Sequence, residues 1–308
     1  MAKLAVRYPQ LGLHIPPEHV FGAQDKAGAD KVPVTDVGPD IEYYGSVRVG
    51  TPAQVMLLNF DTGSADIWFP SSTCTTAGCK IHRRFNAAKS TTFKKDGHPW
   101  KIGYVDGSNA SGILGSDIVS VGSIAVRQTI GLATNESAQF ASSPQDGLFG
   151  LGFSAIESVA GVKTFLDNAI AAKAIALPVI SVFLPSVRKN GGQGGNYLFG
   201  GIDNTRYTGA LTYVPVTKKG YWQVLIQDVA FNGKSLGQTS QGIIDTGTTL
   251  MIIGHAAAAA IHKQIPGAVN SIQEGGWLVP CSLAKNTKDA VLFKMGGESF
   301  QVPVADLA

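Results

Sequence analysis

Leu57-Leu58-Asn59-Phe60-Asp61-Thr62-Gly63-Ser64 and Gln241-Gly242-Ile243-Ile244-Asp245-Thr246-Gly247-Thr248 are one pattern written twice. In each, a short apolar stretch runs into Asp-Thr-Gly and ends on a hydroxyl residue. A single Asp-Thr-Gly marks an ordinary turn. Two copies, each behind an apolar stretch and half a chain apart, point to an internal repeat. The repeat predicts two similar β-lobes, each contributing one carboxylate.

The rest of the chain reads the same way. Short apolar runs rich in β-branched residues fall at 47–49, 55–60, 113–121, 180–184, 197–199, 211–216 and 222–229, broken by Gly, Asn, Asp and Pro. This is an all-β signature. Helical periodicity is confined to 162–174 and to 255–264 with its five-alanine run. Gly191-Gly192-Gln193-Gly194-Gly195 reads as a surface turn. Residues 1–31 hold Pro9, Pro16, Pro17, Gly22 and Gly28 without a sustained period, and read as a leader. The predicted organisation is a leader over 1–31, an N-terminal lobe with Asp61 over 32–208, and a C-terminal lobe with Asp245 over 209–308.

Composition narrows the function. The chain has 308 residues, 44% hydrophobic and 15% charged, enough to bury a sizeable core. A formal charge of +3 without a basic stripe argues against nucleic acid. No run approaches the ~20 apolar residues of a membrane span. The first ten residues carry Lys3, Arg7 and Pro9 and no apolar core of a signal peptide. The six histidines show no paired metal spacing, so neither a metal nor a cofactor is expected. No Gly-x-Ser-x-Gly or phosphate loop occurs. Asn109-Ala110-Ser111 and Asn135-Glu136-Ser137 are glycosylation sequons.

Two carboxylates brought together cannot both ionise cheaply, so they share a proton and titrate in coupled steps. One can then act as a general base on water while the other donates a proton. Gly63 and Gly247 allow backbone N–H groups to approach the carboxylates. Ser64 and Thr248 can hold the outer oxygens, and Thr62 and Thr246 can link the two loops.

From about Val32 onward the chain resembles the pepsin-like aspartic endopeptidases, most closely the fungal rhizopuspepsin type. The matching motifs include Val32-Pro33-Val34-Thr35-Asp36, Val49-Gly50-Thr51-Pro52 and Phe60-Asp61-Thr62-Gly63-Ser64-Ala65-Asp66-Ile67-Trp68. Asp146-Gly147-Leu148-Phe149-Gly150-Leu151-Gly152 and Phe199-Gly200-Gly201-Ile202-Asp203 match as well. The resemblance implies a bilobal β fold, a cleft for an extended polypeptide and the catalytic pair Asp61/Asp245. That pair is the well-known case of two carboxyls with split titrations. It further implies a flap at Ile102-Gly103-Tyr104-Val105-Asp106-Gly107-Ser108, with Trp68 hydrogen-bonded to Tyr104. Asp106 matches an acidic flap residue that favours Lys before the cut, or else is a plain turn carboxylate. Val105 stands where the family usually has Gly, and its β-branch restricts the tip. Leu148 and Phe140 fall near the pocket before the cut, Tyr221 near the one after it, and Asn59 on a wall. The resemblance also implies secretion or vacuolar targeting, an acid pH optimum and zymogen activation. Lys3, Arg7, Lys26 and Lys31 are then candidates to cover the carboxylates.

Cys74 and Cys79 match the family's first small disulfide. Cys281 matches half of a C-lobe disulfide whose other half would follow position 308. Leu148-Phe149-Gly150 flanks Asp61, whereas the family's corresponding strand for Asp245 would also lie further on. A separate C-terminal peptide as partner, an incomplete piece and a natural truncation all fit this pattern. The competing functional reading is an impaired peptide-binding homologue or inactive fragment, and both intact motifs argue against it.

Overall fold

A computed structural model describes residues 28–38, 40–186 and 194–307. Residues 1–27, with Lys3, Arg7 and Lys26, expected as a leader, and residues 191–193 of the expected turn lie outside the described residues. The chain forms two compact units. Residues 219–222 and 244–249 cluster with the first unit, so the Asp245 loop is compact with the Asp61 half of the chain.

The first unit is built on a ten-stranded sheet. Its strands are β1 (Asp30–Val37), β2 (Glu42–Val49), β3 (Gln54–Asp61), β4 (Ile67–Pro70), β5 (Lys94–Gly103), β6 (Asn109–Val121), β7 (Ile124–Glu136), β8 (Gly147–Gly150), β9 (Ile180–Phe183) and β10 (Asn196–Phe199). They run in the order β5-β6-β7-β4-β8-β3-β2-β1-β10-β9. Alternate residues of β2, Tyr43, Val47 and Val49 among them, are buried, as a strand with one face on a core requires. The core is aromatic at its centre, where the Phe60 ring lies 5.0 Å from both Phe149 and Tyr197. Each such fully buried ring contributes about 1.5–3 kcal/mol of transfer free energy.

β1 begins at Asp30 and pairs with β10, so residues 30 and 31 are part of the sheet. The Lys31 ammonium sits 2.7 Å from Asp203, not at the carboxylate pair. The 162–174 window yields a shorter helix, Phe165–Ala171. Thr164 and Asp167 cap its start reciprocally, and Lys173 adopts a φ of 54° just after its end.

The regular structure of the second unit is also mainly strand. Asp228–Phe231 pairs with Lys234–Ser235 and with Ala290–Met295, which pairs in turn with Glu298–Pro303. The helix His255–His262 buries Ile261 among Val229, Phe231, Val291 and Val304. Leu250, Ile252 and Ile272 are exposed at 77%, 75% and 96%. The expected strand over 211–216 is coil, although Val214 is buried. The expected run over 222–229 splits at Gln227, which donates its N–H to Lys294 O and accepts from Gly297 N. The all-β expectation holds, as does the Cys74–Cys79 disulfide; Cys281 is exposed and free.

Candidate active site

β3 is a central strand. β2 pairs antiparallel on one side of it and β8 parallel on the other, with Asn59 opposite Leu148 and Asp61 opposite Gly150. Its last four residues are buried. Asp61 therefore leaves the core at the end of a strand held on both edges. The following loop is fixed by Leu151 N donating to Asp61 O and Gly152 N to Ser64 O, each at 2.7 Å. A Cβ on Gly150 would overlap the Ala65 backbone, so the close approach of β8 requires glycine there.

The Asp245 loop repeats the local chemistry. Gly63 N donates to Asp61 Oδ1 at 2.7 Å, and Gly247 N to Asp245 Oδ1 at 2.8 Å. Ser64 Oγ donates to Asp61 Oδ2 at 2.5 Å, and Thr248 Oγ1 to Asp245 Oδ2 at 2.7 Å. The threonines lock the loops together. Thr62 N donates to Thr246 Oγ1 at 3.1 Å, and Thr246 N to Thr62 Oγ1 at 2.9 Å. Each hydroxyl passes its own hydrogen across, Thr62 to Ile244 O at 2.8 Å and Thr246 to Phe60 O at 2.7 Å.

This lock sets each carboxyl against the glycine of the other loop, so the two carboxyls lie close together. A Cβ on Gly63 would stand 2.5 Å from Asp245 Oδ2, and one on Gly247 would overlap the Asp61 carboxylate. Both glycines are required by that proximity. Burial pushes the Asp61 carboxyl upward, and the charge of Asp245 adds to the push. The donors Ser64 and Gly63 oppose it.

The segment expected as a flap lies at the end of the β5–β6 hairpin. Tyr104 N donates to Ser108 O at 2.9 Å and Gly107 N to Tyr104 O at 3.0 Å. Trp68 Nε1 donates to Tyr104 Oη at 2.7 Å, as expected. Phe140 meets Trp68 edge-on at 5.1 Å and Tyr104 at 6.2 Å, and Leu148 joins the same apolar cluster. Asp106 Oδ1 accepts from Ser108 N at 2.9 Å and Ser108 Oγ at 2.7 Å, the bonding of a turn residue. Val105 is 95% exposed. Tyr221 is exposed and outside that apolar cluster, beside Trp222, whose indole donates to Leu151 O.

The chain matches the model of the eukaryotic aspartyl protease over residues 42–308. It belongs to that family. It is 41% identical over 283 residues to rhizopuspepsin of Rhizopus chinensis, covering 91% of this chain and 70% of the relative. Syncephapepsin of Syncephalastrum racemosum is 41% identical over 283 residues, 91% of this chain and 69% of its own. Pepsin A of Callithrix jacchus is 37% identical over 270 residues, 86% of this chain and 68% of its own. The protein is thus an aspartic endopeptidase.

Behind the flap of this endopeptidase stand residues the motifs did not single out. Trp100 Nε1 donates to Asp66 Oδ1 at 2.7 Å, and Ser158 donates to Asp66 Oδ2 through both N and Oγ at 3.0 Å. Trp68 packs on Trp100 at 5.8 Å. The signal for Trp100 was present in the sequence. Residues 100, 102 and 104 fall on one face of a strand by the period of two, and all three join the cluster around Trp68. Glu136 and His82 carried no comparable signal.

Proposed function

We propose that Asp61 and Asp245 are the catalytic pair of this aspartic endopeptidase and together activate a water molecule. The observation that supports the reading is two equivalently held carboxyls, each packed against the glycine of the other loop beside the Thr62–Thr246 lock. The pair holds one proton. The ionised carboxyl takes a proton from water as the water oxygen bonds to the scissile carbonyl carbon. The protonated carboxyl passes its proton to the carbonyl oxygen, giving a neutral tetrahedral diol. The diol then collapses. Its hydroxyl proton returns to the pair, the amide nitrogen takes the other proton, and the C–N bond breaks.

An acid pH range follows from the need to keep one proton on the pair. Tyr104, Phe140 and Leu148 line an apolar pocket for the residue before the cut, Tyr221 contacts the residue after it, and Asp106 favours a basic residue before the cut. The substrate is an extended polypeptide. The two Asp-Thr-Gly copies define two pseudo-symmetric lobes by descent, even though the Asp245 loop is compact with the first unit. The Cys74–Cys79 disulfide supports synthesis into an oxidising, secretory route, and the fungal relatives support a fungal-type zymogen.

The test is cleavage of acid-denatured haemoglobin between pH 2 and 7, with and without pepstatin, whose hydroxyl takes the position of the attacking water. Acid-optimal cleavage abolished by pepstatin is the expected result. Cleavage insensitive to pepstatin and abolished by a chelator would overturn the reading.

A further inference from the structure

The 3₁₀ turn Ala138–Ser142 carries Phe140 to Trp68 and Tyr104. Both feet of that turn are held. At the first, Ser137 N donates to Asn109 O at 2.9 Å, and Asn109 N to Ser137 Oγ at 3.1 Å. At the second, His82 Nε2 lies 2.8 Å from Ser143 O. The other ring nitrogen of His82 faces back toward the first foot, where Nδ1 lies 3.9 Å from Glu136 Oε2. One imidazole therefore spans the two ends of the turn.

Both side chains are buried, at 4% exposure for His82 and 0% for Glu136. His82 Nδ1 and both Glu136 carboxyl oxygens lack a hydrogen-bond partner. Buried polar groups of this kind call for a physical account. A backbone carbonyl only accepts, so Nε2 must carry a hydrogen. Neutral His82 then presents the Nδ1 lone pair to Glu136. An ionised Glu136 would set a second lone pair against it. A proton on Glu136 removes the conflict, because a neutral carboxyl across the 3.9 Å gap sets no charge against the Nδ1 lone pair.

The surrounding charges favour keeping that proton. Asp146 lies close enough to raise the Glu136 carboxyl, though burial is the larger cause; together they push it up to about 7. The Asp146 oxygens already accept from Leu57 N at 2.7 Å and Arg83 N at 2.8 Å, and the Arg83 guanidinium is 3.6 Å away. Lys80, on the short helix Ala77–Lys80 packed against the turn, is exposed. The Arg84 guanidinium is engaged with Cys74 O at 3.0 Å.

We propose that His82 and Glu136 are positioning residues, and that a proton on Glu136, by keeping a carboxylate charge away from the His82 Nδ1 lone pair, holds the Phe140 turn against Tyr104 so that the substrate pocket is fully formed. The proposal rests on Phe140 and Tyr104 lining that pocket. As pH rises and Glu136 ionises, its charge repels the Nδ1 lone pair and turns the ring away from Ser143 O, so the second foot loosens and substrate binding weakens, while the Asp61/Asp245 pair is untouched.

The test follows KM and kcat separately from pH 4 to 7.5, within the range where circular dichroism is constant, on a peptide with Phe before the cut. KM of the unsubstituted enzyme should rise about threefold or more toward pH 7.5. Glu136→Gln supplies an amide N–H to Nδ1 and does not titrate, so its KM should stay flat while kcat falls with pH as before. His82→Ala should raise KM at every pH. Superimposable KM profiles for Glu136→Gln and the unsubstituted enzyme would overturn the proposal. Should neither variant fold, ¹⁵N spectra of the His82 ring in the unsubstituted protein decide. Nε2 should carry the ring hydrogen at pH 8, and the Nδ1 resonance should move as Glu136 ionises. An Nδ1 that keeps its hydrogen at pH 8 would overturn the proposal. Failure of the Asp61/Asp245 reading would appear instead in kcat and in pepstatin sensitivity.

Discussion

The loops carrying Asp61 and Asp245 share their hydrogen bonds but not their surroundings. Both carboxylates accept from the glycine two residues on and from the hydroxyl three residues on. Yet Asp61 is 5% exposed at the end of a strand paired on both edges, with Phe60 and Phe149 fully buried beside it. The Asp245 loop is half-exposed to exposed, its entering strand residue Ile243 is 46% exposed, and Leu250 just after it is 77% exposed. Among the described residues no strand pairs with Asp245 as β8 pairs with Asp61. The contrast separates two kinds of information. Holding a carboxylate is local and is written in four residues, whereas stiffening the loop that bears it depends on strands far away in sequence.

If the carboxylates are equivalent in chemistry despite this contrast, removing either should have the same and largest effect. Asp61→Asn and Asp245→Asn should each lower kcat by a hundredfold or more, about 3 kcal/mol or more of transition-state stabilisation. An amide keeps the shape and cannot share the proton. Single-turnover assays with active-site titration measure it. Retention of more than a few per cent of activity in Asp245→Asn alone would break the equivalence.

The next effect tests the difference in support. Phe149 on β8 is fully buried and packs against Phe60, Phe165 and Phe199. Phe149→Ala should cost about 3–5 kcal/mol of stability. Leu250→Ala, at the exposed end of the second loop, should change stability by no more than about 0.5 kcal/mol. Urea denaturation of both variants makes the comparison. A large cost at Leu250 would mean the second loop is braced by packing that its exposure conceals.

The sequence made the local layer legible. Repeated Asp-Thr-Gly motifs located both carboxylates, both supporting hydroxyls and the threonine lock, because all of these lie within four residues of each aspartate. The Trp68–Tyr104 hydrogen bond came from the resemblance. What remained hidden depends on strand order. Nothing in residues 82 and 136 announces that β7 and the loop after the disulfide bring them together. The 211–216 run is apolar and β-branched like a strand yet forms no ladder, because apolar character reports burial and not the presence of a hydrogen-bonding neighbour. The strand pairing of Asp30 and Lys31 was hidden for the converse reason, since their partner is β10, far along the chain.

The buried surroundings of the first loop also predict how stability follows pH. Burial raises Glu136 to about 7 and Glu157 to about 8 from an ordinary 4.5, with Asp146 adding at Glu136 and Asp66 at Glu157. Asp61 moves the same way. Below pH 4.5 these carboxyls are protonated both folded and unfolded. Between about 4.5 and 8 the unfolded chain ionises first and binds fewer protons, so stability falls as pH rises. Thermal melts at pH 4, 6 and 8 should give a steadily decreasing Tm, and Glu157→Gln should flatten the upper part of that decline. A Tm that rises from pH 4 to 8 would show that these carboxyls are ionised in the folded enzyme.

The smallest effect concerns the flap, which hangs on the Asp61 side through Trp68 and Tyr104. Its tip is closed by Tyr104 N to Ser108 O and Gly107 N to Tyr104 O, and neither bond uses the Val105 side chain. At 95% exposure Val105 makes little packing contact, so its influence is conformational. A β-branched residue narrows the backbone and χ1 choices of the tip, whereas glycine widens them and gains entropy in the unfolded chain. Val105→Gly should therefore cost about 0.5–1 kcal/mol of stability. It should leave kcat/KM unchanged or raise it by about twofold, as the tip closes more freely. Peptide hydrolysis at pH 4 and a thermal melt measure the two effects. A tenfold loss of kcat/KM would mean that the Val105 side chain touches substrate, and that the Asp61 half contributes binding contacts as well as rigidity.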